Sequence, residues 1–189
     1  MASPFLYFAD DRLSRAELTA ACLDGDLVEL GDAYIPADAV ETSALRAGSL
    51  LPVLGENLAA THLTAAWIHG ALPQQPSRHT VQRAVPRRLH IVPDRQVVYR
   101  DRAVPLEDLQ LIGGVRVTTM PKTLADLSRV DDDEHARAAR LLAAMDPGAI
   151  AAAIAGLELG ALPHKRTALA FLRGLAAAGA QEEVTRYTS

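Results

Sequence analysis

The sequence predicts an α+β chain in three parts: a small N-terminal winged-helix-like module, an α/β module with a small, mostly antiparallel sheet, and a helical C-terminal tail. Two changes of apolar period carry this reading. Between Leu13 and Pro36 the spacing passes from helical to alternating, and between Leu109 and Val130 it passes from alternating to helical. A third observation is the Ala- and Leu-rich run after Asp131, which keeps a helical period. The parts are placed at residues 1–38, 39–130 and 131–180, with 181–189 expected to be disordered.

Ser14 opens the first clear helix, because Glu17 stands three residues on and completes a capping box, while Leu18 and Cys22 begin an apolar stripe. Asp24-Gly25 stops it. Leu27-Val28-Glu29-Leu30 and Ala33-Tyr34-Ile35, separated by Gly31-Asp32, then form a minimal hairpin. Helix plus hairpin is the shape of a winged helix, and Phe5, Leu6 and Phe8 are expected to add a first helix beneath it, since the pair alone buries too little. The Ala- and Leu-rich run from Asp38 to about Leu54 reads as a helix ending before Pro52, and another helix from Leu58 to Gly70 follows.

His62 and His69 share a face of the second of these helices, but i and i+7 lie about 10 Å apart, where metal pairs use i+3 or i+4. Both are read as core histidines, and Trp67 as packing at a seam or an interface. Past the polar connector Pro73-Gln74-Gln75-Pro76, strands are predicted at Thr80–Val85 and Gln96–Arg100, with their arginines on the exposed face. Leu109, Leu111, Val115 and Val117 alternate around Gly113-Gly114 and give a hairpin. After it Thr119 offers a cap, Pro121 fixes φ in the first turn, and Leu124, Leu127 and Val130 follow at helical spacing. Asp126 falls between the two leucines, where a carboxylate needs a cap, a cation or a backbone donor. Thr119 and Asp126 are read as structural anchors, with a chemical role for Asp126 as the alternative.

Three helices make the tail. Acids at 131–134 suit a helix N-terminus, with Leu141, Leu142 and Met145 on its apolar side. Asp146-Pro147 starts a second helix on Ile150, Ile154 and Leu157. Leu169, Leu172 and Leu175 mark a third, ended by Gly179.

Composition excludes several classes. No run approaches the roughly 18 apolar residues that span a bilayer, and the N-terminus lacks the basic, then apolar, pattern of a signal peptide. A cytoplasmic location is therefore expected. One cysteine, Cys22, excludes an internal disulfide. No phosphate loop, paired-cysteine or histidine metal motif, or nucleophile elbow occurs, so neither enzyme chemistry, cofactor nor metal is predicted. Charge is unevenly spread: residues 1–58 hold three arginines against ten acids, whereas 78–102 hold seven arginines against Asp94 and Asp101. Such a basic stretch can be a nucleic-acid footprint, a docking face for an acidic partner or a solvated surface.

The wing ending in Tyr34-Ile35-Pro36, the segment Thr61-His62-Leu63-Thr64-Ala65-Ala66-Trp67-Ile68-His69-Gly70-Ala71-Leu72-Pro73, and the run from Gly114 to Leu127 occur in an order that resembles the AbiEi family over about residues 12–130. Those proteins are antitoxins of type IV toxin–antitoxin systems. The resemblance implies a winged-helix module that binds operator DNA and a following module that counters a nucleotidyltransferase-type toxin. The family's wing is rich in arginine, whereas Glu29 and Asp32 occupy the matching run here. Any DNA footprint must then draw on Arg12 and Arg15 and on Arg83, Arg87, Arg88, Arg95, Arg100 and Arg102. The alternative is a protein-interaction module whose degenerate winged helix no longer touches DNA.

Overall fold

A computed structural model describes residues 3–90 and 95–187, with side chains described as far as residue 179. The class is α+β as expected. Helix α1 (Arg15–Asp24) begins with the capping box: Ser14 Oγ accepts from the Glu17 N–H at 3.3 Å, and Glu17 Oε2 accepts from the Ser14 N–H at 2.8 Å. Gly25, in the left-handed region, ends it. Strands β1 (Leu27–Leu30) and β2 (Ala33–Pro36) pair antiparallel across Gly31-Asp32.

The helix expected at Phe5–Phe8 does not form. Tyr7 instead pairs antiparallel with Tyr34, and its N–H and C=O both bond there at 2.9 Å, so the hairpin gains a third extended segment. No helix precedes α1 among the described residues. The N-terminal part is thus one helix on a hairpin.

Two predicted helices are redrawn. The first is split into α2 (Ser43–Ser49) and a single turn, α3 (Leu51–Leu54), which takes Pro52 into its start, where a missing N–H is harmless. The second loses its first turn to β3 (Leu58–Ala60), and only α4 (His62–Ile68) remains helical. Leu-Ala-Ala favours helix locally, but here strands lie on both sides of it. Pairing to β4 (His79–Arg83) and β7 (Val115–Thr118) satisfies its backbone at full burial and overrides propensity.

That insertion changes the sheet. Its order is β5-β4-β3-β7-β6, with β5 at Val97–Ala103 and β6 at Leu109–Ile112. β3 runs antiparallel to β4 and parallel to β7, while β4 and β5 are parallel and β6 and β7 antiparallel. The sheet is mixed rather than mostly antiparallel, because the strand read as helix lies at its centre.

The β6–β7 hairpin is as predicted. Gly113 and Gly114 have φ of 54° and 85°, which suits the primed turn that follows strand twist. Helix α5 (Met120–Leu127) follows with Pro121 in its first turn. The tail comprises α6 (Asp133–Met145), α7 (Gly148–Leu159) and α8 (Lys165–Tyr187). Asp132 caps α6, accepting from the His135 N–H at 2.8 Å. On α6 Leu142 is buried, but Leu141 and Met145 stay largely exposed. α8 continues past Gly179, where a stop and a disordered end are expected, to Tyr187; residues 188–189 lie outside the described residues.

One core joins these parts. α4 packs on β4 and β7 and carries α5 and α6, α5 packs on α7, and α2 ties the N-terminal hairpin to β6, β7 and α4. Gly113 sits against α2, where an added Cβ would stand 2.2 Å from the Ala44 carbonyl oxygen and 2.9 Å from the Gly48 nitrogen. At Gly114 the nearest atom is a Leu51 methyl at 3.5 Å. Gly113→Ala should therefore cost about 3 kcal/mol or more, from left-handed strain and a clash with backbone, and Gly114→Ala about 1 kcal/mol. Denaturant midpoints of the two variants check the ranking, and equal shifts would show that the hairpin tip does not bear on α2.

Candidate functional site

The sequence places arginines on exposed faces of β4 and β5, and the structure separates them by strand alternation. Gln82 pairs with Arg100 across the parallel β4–β5 ladder, so Gln82, Arg100 and Arg102 share one face. Arg83 and Asp101 share the other. Arg83 is buried: its Nε lies 2.8 Å from Asp101 Oδ1 and its Nη1 donates to the Pro86 carbonyl at 2.6 Å. Its expected place on an exposed footprint is corrected accordingly. A strand flanked on both sides buries alternate side chains on both faces, which a one-sided alternation rule does not anticipate.

Under the Arg100 face lies a cleft of about 740 Å³, lined by His62, Gln82, Arg100, Arg102, Ala103, Pro105, Asp108, Lys122, Asp126, Arg129, Val130, Asp131, Leu162, Pro163 and His164. β5 is the end strand and packs chiefly on β4, which leaves this ground open. α5 supplies the floor. Asp126, 2% exposed, accepts from Lys122 Nζ at 2.6 Å on both oxygens and from Arg129 Nη1 at 3.3 Å. The carboxylate placed between two leucines thus meets two cations, one i−4 and one i+3.

Thr119 holds the cap position of α5, but its hydroxyl makes no capping bond. Its carbonyl accepts from the Thr123 N–H at 2.8 Å, and the hydroxyl contact is made by Thr118, 2.7 Å from the Thr123 hydroxyl. The far wall is held by backbone carbonyls. Arg129 Nε donates to Pro163 O at 3.0 Å, while Lys165 Nζ donates to Glu158 O and Gly160 O at the C-terminal end of α7.

Charge in the cleft is mixed. Arg100 and Arg102 are exposed, and neither forms an ion pair or donates a hydrogen bond among the described residues. Burial pushes the Asp108 carboxyl above the usual range, against the pull of Lys122, and lowers Arg129 from its ordinary value despite Asp126. His62 is 3% exposed, its Nδ1 3.0 Å from the Thr61 hydroxyl, and burial drops its pKa to about 4, against the opposing field of Asp126. It is uncharged at neutral pH. His62 and His164 both have positive φ, 51° and 57°, and only Asp10 joins them among described non-glycine residues. Strained backbone of this kind gathers where a fold positions a site.

The other predicted cations lie elsewhere. Arg87 and Arg88 are exposed on the loop after β4, Arg87 reaching Asn57 Oδ1 at 3.4 Å and Arg88 standing 4.0 Å from Asp101. Arg95 is exposed in the turn before β5, and its carbonyl accepts from Arg78 Nε. Arg12 and Arg15 are exposed beside α1, far along the chain from the rest. Sequence reasoning missed Lys122, Arg129, Gln82 and His164. The first two had a signal, since their spacing from Asp126 is helical. Gln82 and His164 had none, because only the fold brings them there. His69 is also buried, and its Nε2 lies 2.8 Å from Thr118 O. Trp67 is 1% exposed inside the core rather than at an interface, with the Arg46 guanidinium 5.5 Å from its ring centre.

Buried neutral histidines make stability depend on pH. A histidine with a lowered folded pKa takes up its proton more readily when unfolded. Its contribution is full above about pH 6.5 and is lost as pH falls toward 4. For His62 that span is on the order of 3 kcal/mol, with His69 and His79 shifted the same way by burial. His62→Asn, chosen because asparagine tolerates positive φ, should flatten the pH slope of unfolding free energy between 6.5 and 4.5. An unchanged slope in that variant would remove His62 as its source.

Every residue lining the cleft lies between His62 and His164. The family model described as AbiEi antitoxin C-terminal domain matches residues 58–168, from β3 to the start of α8. No curated protein matches the chain. With more than half of its length inside that match, the chain belongs to the AbiEi antitoxin C-terminal domain family.

Proposed function

We propose that this protein is an antitoxin-like regulator whose module from β3 onward counters a nucleotidyltransferase-type toxin, and that exposed arginines outside the cleft bring it to operator DNA. Family membership over residues 58–168 is the observation that carries this reading, and it supports an antitoxin-type role. It acts by binding rather than turnover, in the cytoplasm. Within the binding reading, Arg87 and Arg88 are the best-placed phosphate contacts, because they are adjacent, exposed and clear of the cleft.

One observation favours a second reading, in which the chain is a protein-interaction module. α1 buries only Leu18, and beside Arg15 its exposed faces carry Glu17, Asp24 and the 84%-exposed Leu23, next to Glu29 and the exposed Val28 of the hairpin. Such an apolar, mixed-charge surface suits a protein.

A salt titration with duplex DNA separates the two. Under the first reading the parent binds, and Arg87→Ala with Arg88→Ala lowers affinity on every sequence and flattens the salt slope by about two counterions. A parent that binds no DNA at low salt supports the interaction module. A double variant with unchanged affinity and slope overturns the proposed footprint.

A further inference from the structure

We propose that the cleft between β5 and α5 is a binding site for a small organic phosphate. Three features of its lining specify that chemistry. Arg100 and Arg102, two residues apart on one face of β5, present exposed guanidinium groups that form no ion pair among the described residues, although Asp131 also lines the cleft, and they are open to an anion. Lys122 and Arg129 do not share this role, because Asp126 already holds both. Pro105, Leu162 and Pro163 give the cleft apolar walls, which an inorganic ion would leave uncovered. Asp108 is half-buried, its backbone bonds Pro105 and Thr119 while its carboxyl makes no hydrogen bond among the described residues, and that carboxyl offers an acceptor to a donor on the ligand's body.

A nearby solvated cation cluster would need none of this. The cleft's volume of about 740 Å³ lies in the range that encloses a small ligand and far exceeds that of a lone phosphate. Two of its walls are set by histidines in left-handed backbone, His62 at the start of α4 and His164 before α8. The surrounding structure maintains that strain at two positions that line the cleft. Phosphate would sit at Arg100 and Arg102, and the organic part would lie toward Pro163 and Asp108.

The test uses the full chain and measures binding by calorimetry and thermal shift at low ionic strength. The probes are the four nucleoside monophosphates, glucose 6-phosphate, inorganic phosphate and a single-stranded octanucleotide. Binding of at least one nucleoside or sugar phosphate, weakened tenfold or more in Arg100→Gln/Arg102→Gln and unchanged in Arg87→Gln/Arg88→Gln, is the expected result. Which ester binds distinguishes a nucleotide from a sugar phosphate as the source. Should the first double variant not fold, Arg102→Gln alone carries the comparison, with an expected loss of several fold. No binding by any ester overturns the proposal. So does inorganic phosphate binding as tightly as the best ester, the octanucleotide binding more tightly than it, or the Arg100 and Arg102 variants binding like the parent.

Discussion

A helix with no exposed face sits at the centre of this molecule, and every polar group on it must find a partner inside the protein. All seven residues of α4 are buried, His62 and Thr64 among them. An unpaired polar group there would cost on the order of 1–3 kcal/mol. Partners come from β4, β7 and α2. The Thr80 N–H of β4 donates to Thr64 Oγ1 at 2.8 Å, and beyond the helix His69 bonds the last carbonyl of β7. Arg46 of α2 donates to the carbonyls of Trp67 and Leu72 at 2.6 and 2.9 Å while its other nitrogen pairs with Glu41. These bonds fix where α2 stands against α4, and so where the N-terminal hairpin attaches to the sheet.

The same constraint explains how the charge of the chain is disposed. A central strand covered on both faces cannot leave an arginine in solvent, so Arg83 is drawn in and matched by Asp101 from the neighbouring strand. The end strand has no such cover, and β5 keeps Arg100, Asp101 and Arg102 exposed. Charged side chains on an edge discourage pairing with another chain. That blunt role accounts for charge on β5 but not for its sidedness, with two arginines on the cleft face and the acid on the other.

Where a local rule was strong, the sequence was legible. Ser14 with Glu17, Gly113 with Gly114, and the acids at 131–134 each mark a helix start or a turn from a few adjacent residues, and the structure has all three. Leu58-Ala59-Ala60 was not legible, because nothing local distinguishes a buried helical turn from a three-residue strand flanked on both sides. Phe5 to Phe8 failed for a related reason, since a pairing with Tyr34 settles their conformation. Of the cleft, the need of Asp126 for a cap, a cation or a backbone donor could be read from its leucine neighbours. Its joining to β5 and to Pro163 depends on contacts between residues far apart in the chain.

Those distant contacts also decide how firm the cleft is. Asp126 draws Lys122 and Arg129 to one point, and Arg129 uses its Nε to hold Pro163, so one buried carboxylate orients the floor and one wall together. Lys165 then bonds the carbonyls at the end of α7, which fixes the turn from α7 into α8 on which His164 stands. Each link is a cation bound to an oxygen, and those that reach the buried Asp126 carboxylate are sheltered from water, where such bonds are stronger than at the surface. Arg100 and Arg102 are the lining cations that take no part in this frame. The frame uses two of the four lysine and arginine side chains that line the cleft, and the other two stay exposed on β5 with no ion pair among the described residues, so the cations that hold the fold together here and those it leaves to solvent are different ones.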